Sequence, residues 1–225
     1  FLYPNTYGMN MLPPAIALFS ALLKKNGHES QIFDTTYYNL DHGIDSDGSK
    51  MERLNVVPYK MEEKGIKQKT SNWRKDLNDQ VEKFKPNLIA ISSTEDMWEL
   101  GMKALRELKT YKEKNKTPVI VGGVFATFAP EICIKEDLVD MVCVGEGENA
   151  LIDLCDRIDK KIDYSDVTNL WVKLSDKTIK KNSISKPVDI NENPLIDISL
   201  FEEERLYRPM TGKVYKMLPV ETIRG

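Results

Sequence analysis

The chain has little cysteine: Cys133, Cys143 and Cys155 are odd in number and too widely spaced for a chelating loop. That argues against a disulfide framework and against a cysteine-held metal, and it fits a reducing cytoplasm. Histidine is scarcer, with only His28, in Gly27-His28-Glu29 at the end of a predicted helix, and His42, in a polar stretch. Both read as structural or solvated groups rather than ligands. Charge of one sign is lacking too: 32 basic and 35 acidic residues, net -3, are spread along the chain. No surface for a polyanion is expected, and so no nucleic-acid partner. The apolar stretch from Met11 to Leu23 is too short to cross a bilayer, starts with two prolines and follows no basic segment, so it reads as a buried helix and no membrane association is expected. An initiator methionine is absent, and the chain opens in what reads as mid-strand (Phe1-Leu2-Tyr3-Pro4) and stops at Glu221-Thr222-Ile223-Arg224-Gly225. The expectation is a fragment.

What is present is enough for one substantial core: 225 residues, 41% of them hydrophobic. Pro13 and Pro14 introduce a helix on Ile16, Phe19, Leu22 and Leu23 that ends at Asn26-Gly27. A short strand, Gln31 to Phe33, ends at Asp34, and the aperiodic polar stretch from Tyr38 to Thr70 reads as a surface insertion. Periodicity then alternates: a helix on Trp73, Leu77, Val81 and Phe84, a strand Leu88 to Ile91, a helix on Leu100, Ala104, Leu105, Leu108 and Tyr111, and a strand Val119 to Val121. A short helix from Pro130 to Lys135, a strand Met141 to Val144 and a helix on Ala150, Leu151, Leu154 and Ile158 complete the pattern. Apolar strands without polar alternation, separated by helices, predict an α/β, flavodoxin-like (Rossmann-like), doubly wound five-stranded parallel sheet over residues 1–160. Beyond it, residues 161–198 read as a hairpin around Ser175-Asp176-Lys177 and a proline-bearing linker from Lys186 to Pro194. Residues 199–225 read as the start of a second domain, ending in a strand, Leu218 to Ile223, with nothing to pair with.

Three strand-to-loop junctions carry the functional signal: Ile91-Ser92-Ser93-Thr94, Val121-Gly122-Gly123-Val124 and Val144-Gly145-Glu146-Gly147-Glu148. In an open parallel sheet the carboxyl ends of the strands line one crevice, where ligands bind. Gly122 and Gly123 allow a bulky ligand to approach the backbone, and Ser92 and Thr94 offer hydroxyls to a mostly neutral one. A tight turn and a helix cap would use the same residues. At Gly145 to Glu148 a helix start favours phosphate while two carboxylates oppose a dense anion, so a ligand with one diester phosphate and many neutral groups fits best. A flavin site would want a hydroxyl-rich loop after the first strand, and a phosphoacceptor domain would want Asp where Ser92 stands.

Ser92-x-Thr94 and the Gly122-Gly123 pair resemble two signatures of the cobalamin-binding domain. The third, Asp-x-His-x-x-Gly with its cobalt-ligating histidine, is missing, since the loop after the first strand reads Asn5-Thr6-Tyr7-Gly8-Met9-Asn10. Pro13-Pro14-Ala15-Ile16-Ala17, Leu23 to Glu29, Val121 to Thr127 with Pro130-Glu131, and Asp140 with Gly145 to Glu148 together resemble the amino-terminal domain of cobalamin-dependent radical S-adenosylmethionine enzymes, many of which lack that histidine. The resemblance implies cobalamin held base-off by Tyr7, Met9, Asn10, Ser92, Ser93, Thr94, Gly122, Gly123, Val124, Gly145, Glu146, Gly147 and Glu148, with Tyr7, Met9 and Asn10 at the lower corrin face. It implies a radical barrel in cis after Pro219 to Gly225, carrying the four-iron cluster and the S-adenosylmethionine site outside this chain, and methyl transfer as the reaction of the whole. The competing expectation is a degenerate module of the same fold that binds no cofactor and packs on the barrel or presents substrate.

Overall fold

The computed structural model describes residues 1–8, 11–40, 52, 53, 55 and 57–223. Five parallel strands form the centre: β1 (Leu2–Tyr3), β2 (Phe33–Asp34), β3 (Ile89–Ser92), β4 (Val119–Gly122) and β5 (Met141–Cys143), in the spatial order β2-β1-β3-β4-β5. This is the flavodoxin-like order, whose direction of winding reverses between β1 and β3.

The strand residues alternate between two apolar layers. Ile89, Ile91, Val119, Val121 and Val142 face one layer, with Trp73, Leu77, Trp98, Met102 and Leu105 from the helices α2 (Trp73–Phe84) and α3 (Trp98–Glu107). Ile120, Met141 and Cys143 face the other, against Ala150 and Leu154 of α7 (Glu148–Lys160), which lies beside α1 (Pro14–Lys25). Burial on both faces is why β3 to β5 read as continuous apolar runs. The helix expected through Tyr111 divides at Leu108 into α3 and α4 (Lys109–Asn115). A short α5 (Val124–Phe128) precedes α6 (Pro130–Lys135), because Ala129 leaves helical geometry before Pro130.

The regions beyond the predicted domain are more tightly joined to it than the sequence suggested. The hairpin β6 (Leu170–Lys173) and β7 (Ile179–Lys181) extends the sheet, with β6 antiparallel to β5, so the sheet has seven strands rather than five. Leu170 and Val172 lengthen the second layer, while Lys181 lies over the Trp171 ring and gives the edge a charged border. The described part of the predicted surface insertion is not all surface. Tyr38 pairs with Lys69, and Tyr37, Met61 and Ile66 form a small core. That core receives Tyr207 and Val214 from β8 (Tyr207–Met210) and β9 (Lys213–Lys216), which pair with each other. Leu218 to Ile223, expected as a strand, has no regular structure. Among the described residues no helix is long and apolar enough to cross a membrane.

Candidate functional site

The three junctions meet at the carboxyl edge of β3, β4 and β5. Ser92 and Gly122 are partners in the strand register, and the Ser93 N–H donates to the Gly122 carbonyl at 3.3 Å. Gly123 takes φ 95 and ψ -173, a conformation that essentially only glycine adopts. A β-carbon there would stand 2.9 Å from the Ser93 carbonyl oxygen and 3.2 Å from Ser92 Oγ, so its absence lets the two loops pack together. At Gly122 a β-carbon would find only ordinary contact, 3.8 Å from Cys143 Cβ.

One side chain fixes the β4 and β5 loops relative to each other. The Thr127 hydroxyl donates to the Gly123 carbonyl at 3.1 Å and accepts the Gly145 N–H at 3.2 Å. Gly145 is itself at φ 85, next to Ile184, and Gly147 passes so close to Phe19 that a β-carbon would stand 2.9 Å from its ring. Between α1, α7 and the underside of β3 to β5 a narrow cavity of about 60 Å³ opens onto the crevice. Ile16, Phe19, Ile120, Cys143 and Leu151 give it apolar walls, and Ser92, Gly122, Gly145 and Gly147 line it as well. Its lining suits a mostly apolar group. Burial pushes the Cys143 thiol up to about 12, with Glu148 nearby adding to the effect, so this wall is an uncharged apolar surface rather than a nucleophile.

The structure separates the predicted site residues. Ser92, Gly122, Gly123, Gly145 and Gly147 all line the cavity. Thr94 is exposed on the loop after β3 and Val124 is exposed at the start of α5, while Ser93 is buried with its hydroxyl donating to the Thr94 carbonyl. Glu146 faces away: its carboxylate accepts the Val188 N–H at 2.7 Å and its carbonyl accepts from Asn169 Nδ2 at 2.7 Å, so it ties down the linker. Glu148 is buried at the start of α7. Tyr7 packs edge-on against Tyr37 at 6.0 Å, and Met9 and Asn10 lie outside the described residues. His28 bonds Asp156 at 2.9 Å and lines a groove with Pro86 to Ala90, at the amino end of β3, away from the crevice; His42 lies outside the described residues. Sequence reasoning missed Phe19, whose helical spacing marked it only as core, and Thr127 and Asn169, which carry no composition signal of their own.

Glycine-lined strand ends over an apolar slot, on this strand order, have a counterpart among known families. Residues 59–154 match the B12-binding domain. The match starts before β3 and ends within α7, leaving β1, α1 and β2, with the histidine-less loop, outside it. The chain has no match among curated proteins. Among solved structures the B12-binding region and its surroundings are similar to the cobalamin-dependent S-adenosylmethionine radical enzyme OxsB with aqua-cobalamin and S-adenosylmethionine bound, at 15% identity and a TM-score of 0.63, over 88% of this chain and 24% of that one. They are also similar to the radical S-adenosylmethionine methyltransferase TsrM from Kitasatospora setae, with tryptophan substrate and a S-adenosylmethionine analogue bound, at 15% identity and a TM-score of 0.58, over 83% of this chain and 30% of that one. At such identity the likeness is one of fold, and the chain spans less than a third of either enzyme.

Proposed function

We propose that this chain is a cobalamin-binding module that holds the corrin base-off over the carboxyl ends of β3, β4 and β5. The observation that carries this reading is the apolar slot opening among Ser92, Gly122, Gly145 and Gly147. Cobalamin joins a broad corrin to a flat aromatic base through a single phosphodiester, and a broad glycine rim above a narrow apolar slot matches both parts. The B12-binding match over residues 59–154 supports the same reading. A degenerate module would have no physical reason to keep this slot open and glycine-lined.

Bound there, the corrin would supply a methyl group carried on cobalt, chemistry that belongs to the cofactor. This chain's own residues bind and orient. Gly122, Gly123 and Gly145 admit the corrin edge, Phe19 and Cys143 wall the base, and Thr127 keeps the two glycine loops in register. Tyr7, Met9 and Asn10 occupy the loop proposed for the lower face, and Thr94 and Val124 the outer rim. We further propose that the module works in cis with a radical S-adenosylmethionine domain holding a four-iron cluster, with methyl transfer to a substrate radical as the joint reaction. The test is a visible-absorption titration with hydroxocobalamin followed by desalting. Corrin that travels with the protein and shows a base-off spectrum supports the reading, and an unshifted spectrum with no retention contradicts it.

A further inference from the structure

The carboxyl ends of β1 and β2 are locked by a residue from far along the chain. Arg205 is 2% exposed, and its Nε lies 2.7 Å from Asp34 Oδ2 at the end of β2. Its guanidinium also donates to the Met11 carbonyl at 2.8 Å and lies 5.9 Å and 6.0 Å from the Tyr3 and Tyr37 ring centres. The second carboxylate oxygen of Asp34 accepts from the Thr36 N–H at 2.9 Å and hydroxyl at 2.5 Å. The Thr36 hydroxyl in turn accepts from Asn5 Nδ2 at 2.8 Å. Thr35 completes the chain, its hydroxyl accepting the Asn5 N–H and donating to the Asn5 carbonyl. Asn5 and Met11 bracket the loop that follows β1, so one buried network, closed by a guanidinium, holds both ends of that loop.

Arg205 belongs to a segment fastened separately. Leu206 packs with Leu12 and Ala17, the Tyr37 hydroxyl donates to the Glu204 carbonyl, and Met217 N–H donates to the Leu206 carbonyl. A planar, always charged fork can serve a carboxylate and a carbonyl at once, which a lysine cannot match. We propose that Arg205 is a positioning residue for the cofactor site: it couples docking of the segment from Glu203 to Met217 to the placement of Asn5, Met11 and the carboxyl ends of β1 and β2 beside the crevice, and so to cofactor affinity. This rests on the cobalamin reading. Coupling of this kind is reciprocal, so cofactor binding should also protect the β8–β9 hairpin, though none of its residues lines the slot.

The test compares the protein with its Arg205→Lys and Lys24→Ala variants, the latter loosening only the Asp197 tie that precedes this segment. Two readouts are taken: hydrogen exchange along the chain without ligand, and the dissociation constant for hydroxocobalamin. Arg205→Lys should raise exchange selectively in Asn5 to Leu18 and Thr35 to Tyr38 and weaken binding about tenfold, within the range usual for coupled sites. Lys24→Ala should change neither. Wild-type affinity in Arg205→Lys, or exchange raised evenly over the whole chain, would overturn the proposal. Failure of the wild type to bind hydroxocobalamin would instead overturn the cobalamin reading. The exchange comparison would then decide by itself whether Arg205 holds the loop, selective change supporting it and even change refuting it.

Discussion

Gly122 and Gly123 are neighbours, yet substituting them should have opposite consequences. At Gly123 any other residue is forced into φ 95, ψ -173, and its β-carbon stands 2.9 Å from the Ser93 carbonyl oxygen and 3.1 Å from the Ser93 nitrogen. The backbone conformation alone costs on the order of 1–3 kcal/mol. Because the clashing atoms are backbone, β3 must also shift, and Gly123→Ala should lose about 3 kcal/mol in all. For a chain of this size that is a fall in Tm of about 10 °C. At Gly122 the nearest atom to a new β-carbon is Cys143 Cβ at 3.8 Å, so Gly122→Ala should change stability by less than about 1 kcal/mol. Gly122→Leu, by contrast, places a side chain in the slot and should abolish corrin retention while the fold persists. Thermal denaturation and hydroxocobalamin titration of the three variants make the comparison. Equal destabilisation at both positions, or unchanged binding by Gly122→Leu, would refute the reasoning.

Thr127→Val removes the hydroxyl that bridges the Gly123 carbonyl and the Gly145 N–H, and should cost about 1–2 kcal/mol in chemical denaturation and weaken cobalamin binding, whereas Thr127→Ser should restore both. Glu146→Ala frees the Val188 N–H and should make the linker a site of early cleavage by a glutamate-specific protease at Glu192 without unfolding the sheet. Asp197 is opposed by burial, but hydrogen bonds from Lys24, Ser199 and Ser20 bring its carboxyl down to about 2 from 3.8. A depressed carboxylate stabilises above its unfolded value and loses that contribution as pH falls through the folded one. The linker's tie to α1 should therefore weaken between about pH 4 and pH 2, by about 2 kcal/mol, and Asp197→Asn should flatten that part of the stability profile. Leu154→Ala, in the layer under the slot and fully buried, should lose about 2–5 kcal/mol.

The central fold was legible because its physics is local. Ile89 to Ile91 and Val119 to Val121 are apolar runs that only a two-faced sheet would bury, and helical spacing on Trp73, Leu77 and Val81 marked a helix that lies against it. The glycine junctions were legible for the same reason, since only a backbone needing φ above zero or close approach favours Gly123 and Gly145 there. The edges were less so. Leu170-Trp171-Val172 announces a strand but not its partner, and its pairing to β5 depends on a sheet edge that exists only after folding. Met61 and Ile66 lie among polar residues without a period, so their burial depends on Tyr207 and Val214, more than 140 positions away. Arg205 reads as one more surface charge until Asp34 and Met11 are brought to it. Glu146 shows the converse: its place in the third junction pointed to the ligand, and its carboxylate turns instead to Val188.

The most direct test is a crystal structure of the protein grown with hydroxocobalamin. The account predicts the corrin edge over Ser92, Gly122 and Gly145, with the aromatic base inserted between Phe19 and Cys143. A corrin bound elsewhere, or a base that stays coordinated to cobalt and leaves the slot empty, would contradict it.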